Sequence, residues 1–358
     1  MRNVKNAGGY PPSQGGDGGP WRKKNVILIE LGKRGRASAR MHLAPNTNNE
    51  KEMRMKTRYR LLFFLLAVFL ASNPVHAEDL TGTLKKVKES GTITMGYRES
   101  SYPLSYLDDK QQPIGYHIDV CNKIVEVVKD KLQMASLKVQ QQAVTSQNRI
   151  PLVSNGTVDL ECGSTTNNEA RQRQVSFVNT TFVTNVRMAV KKASGIKSLD
   201  QLGGKPVATT SGTTSVQLMR AHEKGKNIDF KEVYGKDHAD SFLLLETDRA
   251  VAFVMDDNLL AGLIATSKNP KDYEIVGEVL NVEPIAVMIR KDDPQFKKLA
   301  DDAVNQMMKS GEIDTLYTKW FLSPIPPKNI SMNFPMSEQL KVLIKTPNDS
   351  PAEAFNKK

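Results

Sequence analysis

The sequence predicts an α/β fold with mostly parallel strands and helices on their faces, and three observations predict it. Between residues 92 and 162, apolar alternation and helical stripes follow one another as strand, helix, strand. A second run of the same kind occupies roughly residues 205 to 257. In both runs Ser, Thr, Arg or Asp residues stand just past the predicted strand ends, where an open sheet of this class keeps its ligand crevice.

In chain order, a helix from Thr81 to Ser90 precedes a strand from Thr92 to Tyr97, which places Arg98 just past the strand's carboxyl end. Val120, Ile124, Val127, Val128 and Leu132 make one stripe of a helix over residues 117 to 132, followed by a strand near Leu137 to Gln141. Ser146 and Arg149 head a short helix, Val158 to Cys162 is an apolar strand, and Ser164, Thr166 and Arg171 come after it. The second run has strands at Lys205 to Thr209, Phe230 to Tyr234 and Ala250 to Met255, the last ending in Asp256 and Asp257. Thr210 to Ser215 is a turn opening a helix, and Ala239 to Glu246 is a further helix. After an extended segment near Val282 to Arg290, Asp292-Asp293-Pro294 caps an amphipathic helix carrying Phe296, Leu299, Ala300, Val304 and Met307. From Pro324 onward the chain reads as Pro-rich and then polar, and no internal repeat follows residue 77.

The 358 residues suffice for two domains of ordinary size. Fifty Lys and Arg face 39 Asp and Glu, a net +11, but the excess is local. Residues 1 to 77 hold 14 Lys/Arg against 4 Asp/Glu, a net +10, and the remainder holds 36 against 35, a net +1. The nearly neutral body lacks the field that gathers nucleic acid or anionic lipid. Residues 53 to 77 have the parts of a cleaved secretory signal: Arg54, Lys56, Arg58 and Arg60, an apolar run from Leu61 to Ala71, and Val75-His76-Ala77 as the cleavage site. The run is short of the roughly 20 residues a spanning helix needs, so export is expected. Residues 1 to 52 have little to build a core from, and are expected to be a disordered or non-native extension, with translation starting at Met53 or Met55. Cys121 and Cys162 are the two cysteines, and in an oxidising compartment they either form one disulfide or stay as buried thiols.

A guanidinium presents parallel donors matched to a carboxylate, so Arg171, with Ser164 and Thr166 beside it, is a candidate anion holder. The helix opening at Ser211 to Ser215 offers free N–H groups but lacks the Lys of a phosphate loop. Asp256, ending an apolar strand, needs a cation such as an ammonium. Those two poles describe an α-amino acid. Arg98 and Arg149, left over with Ser146 and His238, imply a second carboxylate on the ligand, as in glutamate or aspartate.

The run GYHIDVCNKI, residues 115 to 124, resembles the signature of the family 3 solute-binding proteins of ABC transporters, with His117 where an acid is usual. SQNRIPLVSNGTVDLECGSTTNNEARQR, TSGTTS, KDHADSF, AVAFVMDD, RKDDPQFKKL and SPIPPKN are similar to the glutamate/aspartate-binding branch of that family, over about residues 80 to 345. His117 is expected to lie away from the crevice. The resemblance implies a type II periplasmic binding protein: two α/β lobes joined by crossover strands near Thr184 to Val190 and Leu280 to Ala286. Lobe 1 would comprise residues 78 to 186 and 287 to 358, with the C-terminal tail, and lobe 2 residues 187 to 286. It implies that Arg171, Thr166 and Thr214 hold the α-carboxylate, that Asp256 with Ser164 receives the α-ammonium, and that Arg98, Ser146, Arg149 and His238 hold the side-chain carboxylate. The implied partners are L-glutamate or L-aspartate and the permease of an ABC transporter, for a periplasmic monomer without cofactor. An enzyme on the same fold, such as a dicarboxylate dehydratase with His238 as acid or base, is the alternative. Against it, no metal-ligand cluster and no Ser/His/Asp order are visible, and glutamate is not ranked against aspartate.

Overall fold

The computed structural model describes residues 52–58, 60 and 79–356. Residues 52–58 are helical. The expectations for residues 1–51, for the apolar run at 61–71 and for the cleavage site at 75–77 lie outside the described residues. Among the described residues no helix is long and apolar enough to cross a membrane.

The body after residue 77 is built on two five-stranded sheets. Its strands in chain order are β1 (Thr92–Tyr97), β2 (Ser100–Ser101), β3 (Ser105–Leu107), β4 (Pro113–Ile114), β5 (Lys138–Ala143), β6 (Leu160–Glu161), β7 (Val175–Phe177), β8 (Phe182–Lys191), β9 (Pro206–Thr210), β10 (Lys231–Gly235), β11 (Ala252–Asp256), β12 (Tyr273–Ile285) and β13 (Met288–Arg290). The first sheet runs β5-β1-β6-β13-β7, with β5, β1 and β6 parallel and β13 antiparallel to both neighbours. The second runs β10-β9-β11-β8-β12, again with three parallel strands at one side and two antiparallel ones at the other. β2, β3 and β4 form a small separate sheet. We call the parts around the first and second sheets the first and second lobes.

All five residues of β11 are buried, which is why that strand reads as an apolar run without alternation, and the four central residues of β1 are buried although its sequence alternates. The helix Tyr116–Leu132 buries Ile118, Val120, Cys121, Ile124, Val125, Val128 and Leu132 on the first lobe's core. Pro294–Ser310 starts as its sequence predicts, with Pro at its first position and the Asp293 carboxylate accepting Phe296 N–H. The same carboxylate accepts Thr83 N–H at 2.6 Å, joining the returning chain to the first helix, Gly82–Ser90.

β8 and β12 are the long pair on which the lobes meet. Phe182 lies opposite Ile285 and Lys191 opposite Tyr273, with a register break between Val276 and Asn281 beside Gly277. The segments Thr184 to Val190 and Leu280 to Ala286, assigned above to crossovers, lie on or at the end of this ribbon. Lobe contacts away from it include Gly262, where an added Cβ would stand 2.5 Å from Cβ of Tyr102.

Several elements depart from their sequence-based bounds. The strand expected over Val158 to Cys162 is two residues long, because only Leu160 and Glu161 pair with neighbours. The chain after Asp256 turns at once into the helix Asp257–Thr266, whose Leu259, Leu260 and Leu263 enter the core. The tail after Pro324, read as Pro-rich and then polar, contains the helix Glu338–Lys345, anchored by buried Leu340 and Leu343, and a last turn at Ala352–Phe355. Cys121 and Cys162 are joined, tying the helix Tyr116–Leu132 to the end of β6.

Candidate functional site

Every candidate residue of the first lobe follows a strand of the first sheet or the loop after it. Arg98 follows β1; Ser146 and Arg149 follow β5; Ser164, Thr166 and Arg171 follow β6. The second lobe repeats the device, with Thr214 after β9, His238 after β10 and Asp256 at the end of β11. All nine are buried. The carboxyl ends of parallel strands in two sheets therefore face one crevice.

Arg98, Arg149, Ser146 and His238 make one end of it. Arg149 Nε and Nη1, Arg98 Nε and Ser146 Oγ are buried without a hydrogen-bond partner among the described residues. Burial, then the neighbouring Arg171, pulls the Arg149 guanidinium down to about 9, so it is still charged at neutral pH. His238 Nδ1 lies 3.0 Å from Thr210 Oγ1, which lies 2.8 Å from Ser241 Oγ, which in turn donates to Thr209 O at 3.1 Å. A hydroxyl has one proton, so this chain assigns the proton of the imidazole to Nδ1 and leaves Nε2 as an acceptor facing Arg98 Nη2 at 3.4 Å. Burial, then Arg98, lowers His238 to about 3, which keeps the ring neutral. A neutral ring that accepts from Arg98 orients that guanidinium and is a poor acid or base for catalysis.

Arg171, Asp256, Thr166 and Thr214 make the other end. Arg171 Nη1 donates to Thr166 O at 2.9 Å, and Nη2 reaches Gly212 O at 3.5 Å across the lobes. Gly212 itself, at φ +80°, would place a Cβ 2.8 Å from Ser146 O, so only glycine permits this approach. Asp256 is buried, and burial, then Glu283 and Asp257, push its carboxyl well above the ordinary value.

The sequence reading missed three acids here. Glu283, on β12 and fully buried, accepts the hydroxyls of Thr166 at 2.6 Å and Thr214 at 2.8 Å. Those hydroxyls were expected to serve a ligand carboxylate. Their single protons are committed to Glu283, so what remains for an anion is Arg171 and the free N–H groups of the helix opening at Thr214. Glu161, the last residue of β6, accepts from Thr165 Oγ1 at 2.5 Å and lies close enough to Arg149 to offset part of its charge. Asp237 forms an ion pair with Arg98 Nη2. A carboxylate within an apolar strand pattern, as at Glu161 and Glu283, is the one signal that could have marked two of them. Asp237 reads only as part of the run KDHADSF, with no role of its own.

The hydrogen bonds of His117 go to Gly163 and Thr181 rather than to the nine candidate residues: the ring is fully buried, with Nδ1 bonded to Gly163 O and Nε2 2.8 Å from Thr181 Oγ1. It thus holds the backbone between Cys162 and Ser164. The cause is its place one helical turn before Cys121, on the face that packs beneath β6. Ser164 Oγ lies 3.3 Å from Ser101 Oγ and 3.5 Å from Arg98 Nη1, between the two ends of the crevice. One potential metal-ligand cluster is found among the described residues, Asp200, His222 and Glu278, but it is outside the crevice and Asp200 is already bridged to Lys226.

The model of the bacterial extracellular solute-binding proteins, family 3, matches residues 93–323. The L-glutamate/L-aspartate-binding protein of Pseudomonas aeruginosa is 50% identical over 300 residues, 84% of this chain and 99% of that protein. The glutamate/aspartate import solute-binding protein of Escherichia coli is 48% identical over 289 residues, 80% of this chain and 96% of that protein. Among solved structures, the solute receptor for L-cysteine of Neisseria gonorrhoeae aligns with a TM-score of 0.61 at 23% identity, covering 72% of this chain and all of that one, and shares the fold.

Proposed function

We propose that this chain, which belongs to the family 3 bacterial extracellular solute-binding proteins, captures L-glutamate and L-aspartate between its two lobes and delivers them to the permease of an ABC transporter. Its function is capture, not chemistry. The protein acts outside the cytoplasm, in the periplasm; we assign its export to a signal at residues 53 to 77 cleaved after Ala77, and its working state to a monomer that does not bind nucleic acid.

One observation carries the assignment of an acidic ligand: Arg98 and Arg149 are both buried and retain donors without partners, three N–H-bearing nitrogens in all. A buried unpaired donor costs about 1 to 3 kcal/mol, more when charged, and a ligand carboxylate supplies acceptors for them. In this reading Arg98, Arg149 and Ser146 take the side-chain carboxylate, and His238 acts through Arg98. Arg171 and the N–H groups at Thr214 take the α-carboxylate, with Thr166 and Glu283 holding the Thr214 turn in place. Asp256 and the Ser164 oxygen take the ammonium. Ligand contacts from both lobes favour the closed form, as ligand-driven closure requires. The lobe bounds are residues 78 to 186 with 287 to 358, and 187 to 286.

A calorimetric screen of the purified protein against the amino acids tests this. Glutamate and aspartate are expected to bind at least about tenfold more tightly than glutamine, since an amide leaves a guanidinium uncompensated. Equal affinity for glutamine and glutamate would refute the acidic-ligand reading.

A further inference from the structure

We propose that Asp237 is a latch between the lobes: beside His238 it holds Nη2 of Arg98, leaves Nε and Nη1 to the ligand, and so sets how readily the lobes close on any ligand without reading that ligand's side chain. The proposal rests on the reading of the crevice given above and adds a residue whose task is closure.

Asp237 is held by its own lobe. As N-cap of the helix His238–Glu246 its Oδ1 accepts His238 N–H at 2.9 Å. Arg98 is held equally by the other lobe, where its backbone N–H donates to Ser105 Oγ at 2.9 Å. The ion pair is therefore a contact between two fixed supports. Two further contacts run beside it, from Ala239 N–H to Ser100 Oγ at 3.2 Å and from Arg98 Nη2 to His238 Nε2 at 3.4 Å, so three successive residues at the start of one second-lobe helix meet the first lobe.

The donors of Arg98 divide accordingly. Nη2 is bonded to Asp237 and faces His238 Nε2 at 3.4 Å, Nη1 reaches Ser164 only at 3.5 Å, and Nε is buried without a partner among the described residues. Asp237 thus leaves a face of the guanidinium for a ligand carboxylate. Charge explains why an acid is needed at this place. Closing the lobes brings Arg98 against the positive end of a helix, with Arg149 close by, and an uncompensated arginine there would oppose closure.

The alternative is that Asp237 occupies the seat of the ligand's carboxylate and competes with it. The two ideas predict opposite signs for Asp237→Asn, which removes the charge and keeps an oxygen that caps a helix as well as Asp does. A latch predicts that Kd for glutamate, aspartate and glutamine rises by the same factor, about ten- to a hundredfold, and that the ligand-free variant has a larger radius of gyration by small-angle scattering. Tighter glutamate binding by the variant, or a loss confined to one ligand, overturns it. Asp237→Ser, which keeps the cap but cannot reach Arg98, is expected to behave as Asp237→Asn, and a thermal melt of both variants separates loss of closure from loss of fold. If the unsubstituted protein binds neither glutamate nor aspartate, the functional reading fails, while an unchanged radius in Asp237→Asn refutes the latch separately.

Discussion

The two ends of the crevice are built on opposite plans. Around Arg171 the charges are largely compensated in advance: Glu283 and Asp256 oppose the guanidinium, and the Thr166 and Thr214 hydroxyls are already spent on Glu283. Around Arg98 and Arg149 the donors outnumber the acceptors, and three buried nitrogens of those arginines have no partner among the described residues. On the proposed reading the compensated end takes the head group that every α-amino acid carries, and the donor-rich end tells one amino acid from another.

That contrast is broken most directly by deleting one arginine at each end. Arg171→Ala removes the head-group anchor and leaves Glu283 and Asp256 facing each other, so binding of every amino acid is expected to fall about a thousandfold or more. Arg149→Ala is expected to weaken glutamate by about a hundredfold while moving glutamine by less than about tenfold. Calorimetry on both ligands with both variants decides it: equal losses everywhere would erase the distinction between the ends.

A smaller effect comes from protons. Asp256 has its carboxyl raised, by burial first and then by Glu283 and Asp257, so between about pH 4 and the raised value the folded protein binds more protons than the unfolded chain. Stability of the ligand-free protein is therefore expected to fall as pH rises through that window. An ammonium favours the ionised carboxylate, so amino-acid binding releases a proton and affinity climbs with pH over the same range. Titrations in buffers of different ionisation heat measure the release, and Asp256→Asn should abolish it.

The smallest change expected lies outside the crevice. Gly262 belongs to the helix that starts at Asp257, and its Cα passes so close to Tyr102 of the first lobe that a Cβ would stand 2.5 Å from the Tyr102 Cβ. Gly262→Ala should raise Kd for all ligands by one common factor, several-fold to about tenfold, through overpacking of the closed form. A ligand-dependent factor would mean that this contact also shapes the crevice.

Much of this arrangement was legible because strand ends are marked by sequence. Apolar runs at Thr92 to Tyr97 and Ala250 to Met255 stop at charged residues, and the charged residues that follow are those of the crevice. What stayed hidden depends on pairing at a distance. Glu283 sits in an extended apolar stretch, and nothing local says that hydroxyls 117 and 69 positions away will donate to it. Asp237 stands beside the candidate His238, but nothing local says that Arg98, 139 positions away, will reach it. The helix Asp257–Thr266 was overlooked since a reading that ended the strand at a pair of acids had no reason to continue. The hold of His117 on Gly163 stayed hidden because that partner offers only a carbonyl, which no side-chain pattern reveals.

The bond between Cys121 and Cys162 bears on where the protein can work. It closes a loop of about forty residues beneath the turn that carries Ser164, a constraint on the order of 4 kcal/mol in chain-entropy terms. Cytosolic thiols stay reduced, so on the proposed export route the chain would gain this constraint only after leaving the compartment of its synthesis. The turn that carries Ser164 would then be least constrained where the chain is made and most constrained where it is to work.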